Sequence, residues 1–134
     1  MSPEEALVAA SAAHAGFQVV VSAVVYPALA EVPGGRWAAA HERHSRRMAW
    51  VVGPLYLVVA AACLWALLSS PDAWALVAVA GNALAALLTA FVAAPLHRRL
   101  GPARGHGVLL ERLRRVDLAR TASALVAAVA ALLA

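Results

Sequence analysis

The chain has no lysine, one cysteine and few aromatic or acidic residues. Its eleven basic residues are all arginines, Asp and Glu number seven, and aromatic side chains make up 6% of 134 residues. Cys63 stands alone in an apolar run, which excludes a disulfide or a thiolate cluster within one chain. With 63% hydrophobic residues and a mean hydropathy of +0.77, the sequence excludes an ordinary soluble domain.

The arginines fall into two stretches, Arg36–Arg47 and Arg98–Arg120, which alternate with long apolar runs. The N-terminus carries Glu4 and Glu5 but no basic residue, and the link between the second and third runs carries only Asp72. The positive-inside bias then predicts that both termini lie outside and that the two Arg-rich connections are cytoplasmic. Anionic lipid is therefore the expected partner of the arginines, and nucleic acid is not.

The apolar runs predict an all-α, integral membrane four-helix bundle that forms one domain over residues 1–134, located in a bacterial inner membrane. About 20 helical residues cross the hydrocarbon, so four spans use most of the chain. The expected spans are residues 5–30, 48–69, 73–95 and 116–134. The third is expected to stop at Pro95, because proline breaks the helical hydrogen-bond pattern.

The second helix is expected to start before its apolar run. Residues that share one face recur three or four positions apart from the first arginine stretch onward, which predicts one continuous helix from Arg36 to Leu68. They are Trp37, His41, His44, Met48, Val51 and Leu55. Asp72 or a neighbouring Ser is expected to cap the third helix.

Polar residues recur inside the first span. His14, Gln18, Ser22 and Tyr26 are each four residues apart and form one stripe, which is costly against lipid and is expected to face the interior. At about 1.5 Å per residue, Asn82 of the third span reaches the depth of His14, which predicts a hydrogen bond between the two. The alternative for such groups is that they only hold helices together, at about 1 kcal/mol each or less.

Arg120 lies at the start of the fourth span, inside or at the edge of the hydrocarbon. A guanidinium there needs an anionic or carbonyl partner, and Asp117, one turn earlier, is the nearest candidate. Alternatively, the side chain reaches the interface by snorkelling.

Three histidines are candidates for a site near the cytoplasmic boundary. His41 and His44 are one turn apart on a helix, and His97 begins the opposite connection. Such imidazoles bind Fe, Cu or Zn, or act as acids and bases near neutral pH. Haem is not expected, because His14 has no second axial histidine at its depth. His106, between two glycines, is expected to be exposed to solvent and to have no role in the site.

Several short segments resemble a small bacterial four-span membrane family within the wider group of the fungal anthrone oxidases, which oxygenate polyketide anthrones to anthraquinones. The matching segments are Val25-Tyr26-Pro27, Trp37, His41-Glu42-Arg43-His44, Arg47, Val51-Val52-Gly53-Pro54, Pro95-Leu96-His97-Arg98-Arg99-Leu100-Gly101 and Arg120-Thr121. The resemblance implies a membrane-embedded enzyme for a small apolar molecule, with His41, His44, His97 and Arg120 as the matching candidates.

The leading hypothesis is an oxidoreductase or oxygenase that acts on an aromatic or polyketide-like compound in the cytoplasmic half of the bundle. His41, His44 and His97 would hold a metal or move protons. Arg120 and Arg47 would stabilise an enolate or phenolate oxygen. The other candidate catalytic residues are Tyr26 and Asp117; the candidate substrate-binding residues are Trp37, Trp50, Gln18 and Asn82.

Three alternatives stay open. One is an acid–base cyclase or isomerase in the same pocket, with no redox step. Another is a small membrane carrier, which would need the His14–Tyr26 stripe to line a water path through both leaflets. The last is a structural subunit whose polar residues only set helix register. The sequence also leaves open a homo-oligomer.

Overall fold

The computed structural model describes residues 1–101 and 107–134, and within these ranges the chain is almost entirely helical, with no strand. Four helices are long and apolar enough to cross a membrane. They are α1 Pro3–Ala30, α2 Gly34–Leu68, α3 Ala73–Leu100 and α4 Gly107–Leu133. The predicted all-α four-helix membrane bundle is therefore confirmed, whereas the prediction for His106 lies outside the described residues.

The starts of α1 and α3 follow from their capping residues. Ser2 and Glu5 form a reciprocal capping box, in which the Glu5 amide donates to Ser2 Oγ at 3.2 Å and the Ser2 amide donates to Glu5 Oε2 at 2.8 Å. Asp72 caps α3 as predicted, because its Oδ1 accepts from the Ala75 amide at 2.7 Å.

Helix α2 is continuous, as the spacing of its stripe predicts. A 3₁₀ turn at Gly34–Arg36 leads into an α-helix at Trp37–Leu68, with Pro54 inside it. At 1.5 Å per residue this helix is about 50 Å long, well beyond the roughly 30 Å of hydrocarbon. Because its first turns are rich in arginine, we expect that end of the helix to extend beyond the hydrocarbon.

Helices α1 and α3 each contain a π-helical turn, at Val21–Val25 and Thr89–Ala93, directly before an X-Pro pair. In α1 the Tyr26 amide donates to the Val21 carbonyl, five residues back, and Ala94 does the same with Thr89 in α3. This wider turn lets the helix continue through the proline. Pro95 therefore does not end the helix as expected, because α3 continues to Leu100, while the end of the membrane span at this residue stays a prediction.

The four helices pack in the order α2, α1, α4, α3, and the contact between α3 and α4 is the most extensive. At Gly81 an added Cβ would lie 2.8 Å from the Ser123 carbonyl oxygen, so only glycine allows this approach of α3 to α4. Helices α2 and α3 contact each other much less. The weakly closed side of the bundle is therefore the one between α2 and α3.

Both Arg-rich connections lie at the same end of the bundle. The Trp37 indole donates to the Leu100 carbonyl at 2.9 Å, which ties the start of α2 to the end of α3. At the opposite end Leu7, Ala66, Ala75 and Ala130 share one buried cluster. The charge distribution predicts that the Arg-rich end is cytoplasmic.

Candidate functional site: a histidine-lined cavity and a buried ion pair

A cavity of about 690 Å³ opens between α2 and α3 at the Arg-rich end, with walls from all four helices. That volume is in the range of small-molecule sites. Its walls are mostly apolar, including Val21, Met48, Val52 and Ala93. The polar side chains that line it include Tyr26, His41, His44, Ser45, His97 and Arg120.

Three of these side chains form a hydrogen-bonded chain across the cavity. The Tyr26 hydroxyl lies 3.2 Å from His97 Nε2, and His97 Nδ1 lies 3.3 Å from His41 Nε2. A neutral His97 satisfies both contacts in either tautomer, since it donates to one neighbour and accepts from the other. Exchanging the tautomers moves a proton between Tyr26 and His41, so the chain can act as a proton relay.

The rings of the relay are held by aromatic contacts. Trp37 stacks on His41 with ring centroids 5.5 Å apart, and its indole is fixed by the bond to Leu100. His44 stacks on His97 with ring centroids 6.0 Å apart. Packing of this kind limits ring rotation, so the nitrogens of His41 and His97 stay aligned.

Arg120 faces the cavity with few partners of its own. Its side chain is 5% exposed, and its Nη1 lies 3.5 Å from Asp117 Oδ1. The buried Nε has no hydrogen-bond partner among the described residues. Behind it, Asp117 accepts from Ser22, whose Oγ lies 2.8 Å from Thr121 Oγ1. The carboxylate is thus fixed from α1. Because Arg120 lines the cavity, its guanidinium is a candidate donor to an anionic oxygen there.

A second polar network lies deeper in the bundle. Asn82 Nδ2 donates to the Ala78 carbonyl at 3.1 Å and to Ser11 Oγ at 2.8 Å, which orients the amide. Its Oδ1 therefore accepts from His14 Nδ1 at 2.8 Å, and the predicted His14–Asn82 bond is confirmed. Gln18 completes this fully buried group with its Nε2 3.4 Å from His14 Nε2.

Tyr56 connects the deeper network to the cavity. Its hydroxyl lies 3.3 Å from His14 Nε2 and 2.7 Å from Thr89 Oγ1, and Thr89 lines the cavity. Because Thr89 donates its own proton to the Ala85 carbonyl at 2.7 Å, it accepts from Tyr56. The Tyr56 oxygen is then left to accept from Gln18 at 3.3 Å. Hydrogen bonds thus run from Ser11 to the cavity wall.

The two π-helical turns lie at the cavity. Val21 begins the first and Thr89 the second, and both residues line the cavity. Tyr26 and His97 follow these turns by one and four residues. An extra residue in a turn rotates the side chains that follow by about 100° around the helix axis. The two π-helical turns therefore determine the directions in which Tyr26 and His97 point.

Of the residues predicted from the sequence, Tyr26, His41, His44, His97 and Arg120 meet around this one cavity. Asp117 lies behind Arg120, as the partner the sequence indicates.

Five other candidates are placed differently. Trp50 is 79% exposed on the outer surface of α2 and does not wall the cavity. Arg47 is also exposed and lies outside the lining of this cavity. Trp37 supports His41 from behind, and Gln18 and Asn82 belong to the deeper network. The predicted roles of these five in direct catalysis or substrate contact are not supported for this cavity.

Sequence reasoning missed Tyr56. A usable signal was present, because tyrosine is enriched at membrane interfaces and Tyr56 lies well inside an apolar run. Ser45 also lines the cavity, and its buried Oγ has no hydrogen-bond partner in the described parts of the chain. No sequence pattern singles out this residue.

The histidines fit part of a metal site. Two ligands about 2.05 Å from one tetrahedral ion lie about 3.3 Å apart, the distance between His41 Nε2 and His97 Nδ1. Across residues 1–101 and 107–134, however, no group of three or more His, Cys, Asp or Glu side chains is arranged to hold an ion. His41 and His97 are the residues that would hold a metal, which would supply Lewis-acid or redox chemistry. The third ligand, from His44, remains a prediction.

Comparison of the chain with protein-family models, with curated protein sequences and with solved structures finds no match. The class of protein that the fold defines is an integral membrane four-helix bundle. Its function is therefore inferred from the cavity.

Proposed function

We propose that this protein is an enzyme of the bacterial inner membrane that removes a proton from a small hydrophobic, aromatic or polyketide-like compound and oxygenates it. One observation carries the proposal: the Tyr26–His97–His41 relay and the Arg120 guanidinium line the same apolar cavity. The substrate class is the one that the resemblance to the anthrone oxidase group implies, and the matching segments include the same residues.

The position of the cavity favours a substrate that arrives through the lipid. The opening lies between α2 and α3, where the exposed Ala49 belongs to its lining. An apolar compound dissolved in the bilayer would enter sideways with its ring system against Val21, Met48 and Val52. Its single polar edge would then meet Arg120 and the relay.

The chemistry proposed is that of a carbon acid. His97 or His41 accepts a proton from a CH₂ group next to a carbonyl, and the electron pair moves onto the carbonyl oxygen. Arg120, whose guanidinium belongs to the cavity lining, stabilises that enolate or phenolate oxygen. Reaction with dioxygen converts the CH₂ to C=O; one oxygen atom enters the product and the other leaves as water, so four electrons pass from carbon to oxygen.

Acid–base chemistry without oxygen is the second candidate. The same relay and guanidinium would support a cyclase or isomerase, in which the enolate closes a ring or shifts a double bond. The carrier alternative gains less support, because in the described structure His14 and Gln18 are fully buried by Asn82 and Tyr56. A water path along the stripe would require these contacts to open.

The proposal is tested with anthrone, a tricyclic ketone with an acidic CH₂ group, added to the protein in lipid nanodiscs. Dioxygen uptake and the absorbance of the quinone are measured together. The protein-dependent rate is the measured rate minus the rate with protein-free nanodiscs. We expect His97→Gln to lower this rate by about 10²-fold or more, since general acid–base catalysis contributes that much. Tyr26→Phe, which removes one end of the relay, is expected to lower it less.

Arg47→Gln is the matched control for Arg120→Gln, because both remove one guanidinium near the same end and only Arg120 lines the cavity. Unchanged rates in His97→Gln and in His41→Gln would contradict the proposal. Product formed without dioxygen uptake would favour the isomerase or cyclase. Elemental analysis of the purified protein and of His97→Gln tests whether an ion takes part.

A further inference from the structure

We propose that a second groove, between α3 and α4 at the Arg-rich end, binds the headgroup of an anionic phospholipid from the cytoplasmic leaflet. The groove has a volume of about 460 Å³ and shares no lining residue with the histidine cavity. Its function would therefore be independent of the proposed enzyme activity.

Three guanidinium groups surround one end of the groove. Arg99 comes from α3, and Arg112 and Arg115 stand one turn apart on α4. In the described part of the chain, Arg115 pairs with Glu111 at 3.1 Å, and neither Arg99 nor Arg112 has an ion-pair partner. The groove thus carries excess positive charge, in side chains whose planar donors suit the oxygens of a phosphate group.

The other end of the groove is apolar and faces the bilayer. Phe91 is 74% exposed and Val92 37% exposed, and both line it. From Phe91 to Arg99 the helix rises about 12 Å, at 1.5 Å per residue. A ligand that fills the groove therefore has an anionic head at the interface and a hydrocarbon part about 12 Å deeper.

That combination is the chemistry of a membrane phospholipid with net negative charge. Basic pockets between transmembrane helices on the cytoplasmic side bind such headgroups. Free phosphate would satisfy the arginines but leave Phe91 and Val92 without a partner. A zwitterionic lipid would fill the apolar end but bring its own cation to the three arginines. The occupant is therefore an anionic lipid.

The test is native mass spectrometry of the full protein, titrated in detergent with phosphatidylglycerol or with phosphatidylcholine. We expect at least tenfold tighter retention of phosphatidylglycerol. The double variant Arg99→Gln/Arg112→Gln is expected to remove this preference. Its matched control is Arg36→Gln/Arg43→Gln, which removes two exposed arginines that lie outside the groove and is expected to keep the preference.

Two further measurements distinguish a lipid headgroup from free inorganic phosphate as the source of the phosphate group. Phe91→Ala leaves the charge unchanged and is expected to weaken phosphatidylglycerol binding several-fold, and millimolar inorganic phosphate is expected not to displace the lipid. Equal losses in the two double variants would overturn the proposal in favour of general surface charge. Displacement by inorganic phosphate, or no effect of Phe91→Ala, would overturn it in favour of a simple anion site.

Discussion

The buried pair of Asp117 and Arg120 should be the most sensitive electrostatic element of the bundle. Their side chains are 2% and 5% exposed, and Asp117 also accepts from Ser22. Asp117→Ala leaves an almost fully buried guanidinium without its carboxylate. Removing one partner of such a pair costs about 3–5 kcal/mol of the free energy of unfolding.

The same helix supplies a matched control. Glu111 and Arg115 form an ion pair at 3.1 Å with side chains 53% and 76% exposed. Glu111→Ala is expected to cost about 1 kcal/mol or less, because water screens both charges. The difference between the two variants should therefore be about 2 kcal/mol or more.

The assay is unfolding of the detergent-solubilised protein by titration with SDS, followed by helical circular dichroism. Asp117→Ala/Arg120→Ala should recover much of the loss, since the lone buried charge is then gone. If Asp117→Ala is no more destabilising than Glu111→Ala, then Arg120 does not depend on Asp117. The snorkelling alternative would then be the better account.

The same unfolding assay checks two further predictions. Gly81→Ala places a Cβ 2.8 Å from the Ser123 carbonyl and should lower the free energy of unfolding by about 1–3 kcal/mol through overpacking. Gly16→Ala, with open space around it, should be neutral or stabilising. Equal effects of the two substitutions would refute the close approach of α3 and α4. Asn82→Ala should cost about 1–3 kcal/mol by leaving buried partners unsatisfied, and Ser69→Ala in the exposed turn should change little.

The spans were largely predictable from local sequence. Hydropathy located four helices, and the stripe that starts at Trp37 correctly extended α2 into the Arg-rich segment. The exception is the end of α3 at Leu100. A proline normally ends a helix, but the π-helical turn before Pro95 accommodates it. No residue pattern in the sequence predicted that turn.

The candidate site was predictable in its residue types and less so in its pairings. The sequence grouped His41 with His44 because they are one turn apart, whereas the closest nitrogen contact joins His41 to His97 on α3. Trp50 was expected to face inward and lies on the surface. Periodicity places residues around one helix axis but does not set the rotation of one helix against another.

The sequence alone determined that this chain enters a membrane as four helices, and its arginines predict the orientation, because a bilayer responds to the apolarity and charge of each segment separately. Which polar groups meet depends on how the four helices pack against one another. The tight α3–α4 contact at Gly81, the weak α2–α3 contact and the two π-helical turns together place Tyr26, His97 and Arg120 on one cavity. These features depend on contacts between distant segments, which no local pattern contains.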